Sequence, residues 1–196
     1  HSAVITNDYT ESPTDDARAT SAGVFNQTSA STTAGDNVNN VLNYGVFVFS
    51  LQDLNSTNEI ITGAAASFFL QGKNISADQA SNPMPNIQLD IFFKDSSLVE
   101  TSDHNAVAIL SVSNFITSAT VTGLYSYVES ALAEEIAKVY NGTTSIWNSI
   151  VFRLQWQTNN TALAGNSLSD NYLFSTKENT AVSQRPAFVL TTTQIP

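Results

Sequence analysis

The strongest pattern along the chain is an alternation of apolar and polar positions with period two. Ile87, Leu89, Ile91 and Phe93 alternate with Gln88, Asp90, Phe92 and Lys94. Ile150, Phe152, Leu154 and Trp156 alternate in the same way with Val151, Arg153, Gln155 and Gln157. Successive side chains of a strand point to opposite faces, so each run predicts a half-buried β-strand. Val41–Leu51 is rich in β-branched and aromatic residues, and Ile61–Gln71 carries Ala64, Ala65 and Ala66, small enough for a close approach of a facing sheet. Val107–Val112, Phe115–Val121 and Pro186–Thr192 are further short strand candidates, and the pair Pro83 and Pro85 marks a loop. Only one segment has the helical period. Val128, Leu132, Ile136, Val139 and Tyr140 recur at three and four residues, with Ser126 as a start signal and Asn141-Gly142 as a stop, which predicts a helix over 126–141.

Many short strands with one helix predict an all-β fold: a two-sheet antiparallel sandwich, a jelly roll, with a core built on Phe47, Phe49, Phe68, Leu70, Leu89, Ile91, Phe152, Leu154, Phe188 and Leu190. The polar stretch 7–23, with Pro13 and the acids Asp8, Glu11, Asp15 and Asp16, reads as a loop or arm. The expected organisation is therefore an N-terminal arm or first strand over 1–23, then one sandwich domain over 24–196.

Composition narrows the function more than the fold. The chain has 196 residues and a net charge of −10, from 17 acidic against 7 basic side chains. Nucleic acid is excluded as a partner because phosphate binding needs a basic face, and anionic lipid is disfavoured for the same reason. No apolar run approaches the ~18 residues of a membrane-spanning helix. There is no cysteine, which removes thiol chemistry, disulfides and zinc-thiolate sites. Charged residues are 12% of the chain, about half the usual share, and Ser, Thr and Asn fill the gap at roughly a third of all residues. Such a surface leads us to expect a secreted protein; a chain that begins at His1 rather than Met has either lost a leader or is part of a longer one. Absence of disulfides fits a bacterial exterior. The five Asn-x-Ser/Thr sequons, at Asn26, Asn55, Asn74, Asn141 and Asn159, are about as many as this composition produces by chance.

The order of elements carries a resemblance. Tyr44–Leu51, Ile61–Leu70, Tyr125–Gly142 and Ile150–Leu154 are followed by Phe174-Ser175-Thr176-Lys177-Glu178 and by the closing Arg185–Thr192. This arrangement resembles the DNRLRE-type β-sandwich domains of secreted bacterial proteins, which are similar to carbohydrate-binding modules, over about residues 41–193. The Phe-Ser-x-x-Glu turn and the Arg-Pro that opens the last strand are its most specific part. The chain departs from that pattern at Asn43 and Ser50, where the family has a basic and an acidic residue, which weakens any ligand role taken from it. The end Gln194-Ile195-Pro196 also resembles the entry to a Pro-Glu-Pro sorting tail of exopolysaccharide-associated proteins.

Candidate chemistry is thin. A serine triad needs a histidine between nucleophile and acid, and only His1 and His104 exist, with no Gly-x-Ser-x-Gly elbow. The same two histidines are the only pair that a copper brace could use. Calcium takes six to eight hard oxygens, and Asp8, Asp15, Asp16 and Asp36 are the candidates for one structural ion; domains like the one resembled often carry one. Sugar binding needs exposed aromatics, and Trp147, Tyr44 and Tyr9 are the candidates, whereas Trp156 shares the face of Ile150 and Phe152 and is expected in the core. Glu178 and Arg185 are expected to pin the final turn. Val4, Ile5 and Thr6 form a β-prone segment able to add to a neighbour's sheet edge, or to serve as an ordinary first strand. No enzyme is expected. The reading is an extracellular structural protein that associates with copies of itself as a filament or matrix subunit; the alternative is a carbohydrate-binding module that holds an extracellular polysaccharide.

Overall fold

The computed structural model describes residues 6–25, 27–36, 41–51, 59–75, 84–140, 147–158 and 170–194. Twelve strands run in the order β1 (Thr6–Glu11), β2 (Asp15–Thr20), β3 (Gly23–Phe25), β4 (Ser31–Asp36), β5 (Leu42–Ser50), β6 (Glu59–Asn74), β7 (Ile87–Lys94), β8 (Leu110–Ile116), β9 (Gly123–Val128), β10 (Ser149–Trp156), β11 (Asn171–Ser175) and β12 (Ala187–Gln194). A single α-helix, α1 (Ser130–Tyr140), lies between β9 and β10, and no helix among the described residues is long and apolar enough to cross a membrane. Every strand pairing is antiparallel. The fold is thus all-β, as the alternation predicts.

The strands form two packed layers. The second layer is β3-β2-β5-β10-β7-β8. The first is built around β6, whose residues Ala65–Leu70 pair with β9 on one edge. On its other edge β12 pairs with Glu59–Ser67 and β11 with Leu70–Asn74, so β11 and β12 are one strand interrupted by 176–186. Outside them β1 pairs with β12 and β4 with β11, so β1 and β4 are likewise one strand interrupted by 12–30. The two layers join where β4 meets β5 at Gly35↔Asn43 and Asp36↔Leu42. Gly35 is required at this corner: its φ is +136°, and a Cβ would lie 2.6 Å from the Asp170 carbonyl oxygen and 2.9 Å from the Trp156 indole nitrogen.

Aromatic rings from the two layers interlock between them. Phe68 of β6 stands 5.0 Å from Phe47 of β5 and 5.7 Å from Phe152 of β10, and Phe188 of β12 stands 5.8 Å from both Phe49 and Phe152. Such tilted contacts add to the burial of the rings themselves. All ten residues expected in the core are buried, and so is Trp156.

Three expectations need correction. The stretch 7–23 is not a loop: most of it lies in β1 and β2, and β2 continues into the β2–β3 hairpin, so a boundary at 23 would cut through that hairpin. Its polar side chains carry no hydrophobic period, yet the backbone finds partners in β12 and β5 and Asp15 and Asp16 are buried. The helix begins at Ser130, because Ser126–Val128 pair with Ala65–Ser67 of β6. The strand proposed over 115–121 ends at Ile116, and the next starts at Gly123. The helix packs on β6, where Ala64 and Ala66 share a core cluster with Leu132 and Ile136. The small residues therefore stand beside a helix as well as facing a sheet.

Phe152 is fully buried and touches rings of both layers. Phe152→Ala is expected to cost about 3–5 kcal/mol in denaturant-unfolding free energy, from lost transfer energy plus the cavity. A loss below about 1 kcal/mol would contradict this packing.

Candidate functional site

The four acidic candidates for calcium are dispersed. Asp8 is exposed on β1 and accepts from Thr191 Oγ1 at 2.7 Å. Asp15 and Asp16 are neighbours on β2 and point to opposite faces. Asp36 sits at the corner between layers, where its carbonyl accepts from Asn171 Nδ2 at 3.1 Å. Among the described residues no group of three or more acidic or histidine side chains converges on a metal-sized point.

Asp16 instead fastens the two interruptions of the first layer together, while Asp15 ties the first of them to the segment after β7. Asp15 Oδ2 accepts from the Val99 amide at 2.7 Å and from Gln27 Nε2 at 3.2 Å. Lys177 donates its amide to Asp16 Oδ2 at 2.8 Å and its ammonium to the Thr14 carbonyl at 2.6 Å. That ammonium also lies 3.8 Å from Asp15 and 3.9 Å from Glu178. The Glu178 carboxyl lies close enough to Asp16 for its charge to act on it. Among the described residues, the buried Asp16 Oδ1 and Glu178 Oε2 have no hydrogen-bond partner. Burial first, and the Glu178 charge beside it, push Asp16 up to about 7, against the lowering effect of the Lys177 amide. The Phe-Ser-x-x-Glu turn thus meets β2, a contact no sequence spacing foretold. Arg185 does pin this turn, by donating Nε to the Asn179 carbonyl at 2.8 Å, while Glu178 turns to Asp16.

The aromatic candidates do not form a platform. Tyr9 is on β1 and donates its hydroxyl to Glu59 at 2.9 Å. Trp147 is half-buried just before β10, at the end where Ser149 pairs with Ser50. Tyr44 lies beyond the other end of that ladder, roughly 20 Å away by strand rise. Its surroundings are the outer face of the second layer. There Asp90 of β7 accepts from Arg153 at 2.6 Å, Gln155 at 2.5 Å, Gln88 at 2.7 Å and Ser111 at 2.6 Å. Arg153 also donates to the carbonyls of Asp103 and Ala106, which straps the segment after β7 onto this face. His104 donates Nδ1–H to the Thr101 carbonyl at 2.6 Å, and its ring stands 5.8 Å from that of Tyr44 in a tilted contact. His1 lies outside the described residues. Beside Tyr44 the β5–β10 ladder stops at Gly45↔Leu154, and the strands part around a crevice of about 210 Å³ lined by Leu42, Asn43, Tyr44, Gln155, Trp156 and Gln157, all uncharged.

The assembly candidates divide. Val4 and Ile5 lie outside the described residues, and Thr6 opens β1 opposite Thr193 of its own chain, as an ordinary first strand does. The described strands with only one partner are β1, β3, β8 and β9. β1 carries Asp8 and Glu11, and β3 has three residues. From Asn105 to Val128, a stretch that includes β8 and β9, the sequence has no Asp, Glu, Lys, Arg or His. Val107, Ile109, Val121, Leu124 and Val128 of this stretch are half of the exposed large apolar side chains among the described residues. The signal was present in the sequence as a charge gap, but only the topology turns it into two unpaired edges.

No protein-family model matches the chain, and no curated protein matches it.

The Asp16–Glu178 contact makes stability depend on pH with a defined sign. Asp16 holds its proton to about 7 in the folded chain against 3.8 for the free side chain. Between these values the unfolded chain releases a proton that the folded chain keeps, so this component of stability falls as pH rises through the window and is flat on either side. Asp16→Asn, which keeps an acceptor for the Lys177 amide and needs no proton, is expected to remove it. Melting curves of both proteins from pH 4 to 8 check this: their difference should grow with pH, and a constant difference would contradict it.

Proposed function

We propose that this chain is a non-enzymatic structural protein of a bacterial exterior, which associates with copies of itself by adding strand to strand at its open edges. The observation that carries the reading is the charge-free stretch 105–128, which contains β8 and β9. An unpaired strand presents a row of free N–H and C=O groups, and proteins that stay apart blunt such edges with charge, proline or bulges. This chain places acids on β1 but leaves β9 with none. The cysteine-free, acidic composition supports a secreted location.

A second reading, as a carbohydrate-binding module, rests on the crevice beside Tyr44, whose uncharged amides and aromatic wall suit a neutral hydroxylated ligand. Migration through gels containing neutral polysaccharide separates the two readings. Retardation lost in Tyr44→Ala, by a protein that stays monomeric, favours the second.

The expected behaviour under the first reading is association that increases with protein concentration and with salt, because added ions screen the repulsion between copies of charge −10. Sedimentation velocity and electron micrographs of concentrated protein test it. A monodisperse monomer at the highest concentration in 0.5 M salt, where the screening length is only about 4–5 Å, would overturn it.

A further inference from the structure

The four open edges among the described residues are not equivalent. β1 carries carboxylates, and β3 is too short to bind much. β8 has a register shift against β7, and Asn114 within it adopts φ 57°. An irregularity of this kind bends a strand and interrupts the row of backbone groups. β9 has none of these defences. It pairs with β6 from Ala65↔Val128 to Leu70↔Gly123 without a shift, holds no charge and no proline, and meets no second strand among the described residues. α1 follows it directly but packs on β6.

We infer that β9 is a self-complementary edge, which pairs antiparallel with β9 of a second copy about a two-fold axis through Ser126. This rests on the self-association proposed above and gives it a register. Side chains directly opposite each other across an antiparallel pair share a face, so the outward set of one strand must meet the outward set of the other. The outward set is Leu124, Ser126 and Val128, all exposed, and the inward set includes Tyr125 and the buried Tyr127. An axis through any of the six residues keeps the faces matched, but only one through Tyr125 or Ser126 pairs five of them, and the others pair three or fewer. A centre on Tyr125 sets Leu124 against Ser126, and one on Tyr127 sets Val128 against Ser126, so each wastes an apolar side chain on a hydroxyl. The centre on Ser126 sets Leu124 against Val128 twice on the outer face and Tyr125 against Tyr127 twice on the inner face. Apolar and aromatic cross-strand pairs of this kind are the ones that stabilise sheets.

Electrostatics does not oppose this register. The nearest charge on the chain after β9, Glu129, falls opposite Gly123 of the second copy. The two Glu129 residues then lie at opposite ends of the pair, roughly 20 Å apart by strand rise, well beyond the ~8 Å screening length at physiological salt. A contact of this symmetry closes on itself, so it makes a dimer that joins two first layers into one continuous sheet. Further growth would use other edges.

The chain has no cysteine, so single-cysteine variants report on register without background. Opposed residues have Cα atoms about 4.5–5.5 Å apart, within the span a disulfide bridges. Ser126→Cys is expected to give a covalent dimer under mild oxidation, reversed by reductant. Leu124→Cys alone is expected to stay monomeric on the same gel, because the two copies of residue 124 lie four residues apart. The double variant Leu124→Cys, Val128→Cys is expected to dimerise again. All three positions are exposed or at an edge, and unchanged circular dichroism confirms that the fold is kept. If the unmodified protein self-associates but Ser126→Cys fails to cross-link, or Leu124→Cys alone cross-links equally well, this register is wrong while the wider proposal stands. If the protein sediments as a monomer throughout and no variant cross-links, both fall.

Discussion

The sixteen-residue strand β6 is the constraint around which the rest of the structure is arranged. Its backbone offers hydrogen bonds on both edges over its whole length, and buried backbone groups left unpaired are costly. One edge is met by β12 and β11 laid end to end, and the next rank outward by β1 and β4 laid end to end. The chain leaves this layer twice near the same level, at 12–30 and at 176–186. The first departure forms β2 and β3 and ties the second layer to the first. Where the two departures meet, polar backbone must be satisfied away from the ladder. Thr176 donates its amide to the Ala30 carbonyl, and Lys177 donates to the Thr14 carbonyl and to Asp16, with the Glu178 carboxyl brought near Asp16.

The same logic explains why so much of the scarce charge is inside. Asp90 and Arg153 are buried as a pair on the outer face of the second layer, and every oxygen of Asp90 is occupied. Lys94 meets Asp103 at 2.6 Å beneath the same strap. These residues hold a loop over a second apolar cluster, Val46, Val48, Phe92, Val99 and Val151, that faces away from the main core. A buried ion pair adds little net stability but costs heavily if one partner is removed, so such pairs specify where the strap lies. Charge spent inside is charge missing from edges. β9 is left with an edge of backbone groups and an outward Leu-Ser-Val face.

The alternation at 87–94 and 150–157, the buried ring set and the helical stripe over 130–140 were determined by the sequence alone. Period and side-chain chemistry are local properties, and an apolar stripe has to be covered wherever it falls. The segment 7–23 was not legible, because strands made of Asp, Thr and Arg show no hydrophobic period. Their pairing depends on β12 and β5, which lie far along the chain. Nor could sequence tell that Ser126–Val128 would prefer the edge of β6 to one more turn of helix, a choice made by tertiary hydrogen bonding over a weak propensity. The joining of Asp16 to Glu178, the parting of β5 from β10 beside Tyr44, and the exposure of β9 as an edge were decided only by the tertiary structure. Each depends on residues distant in the sequence being brought to one place, and non-local pairing leaves no periodic trace in either partner.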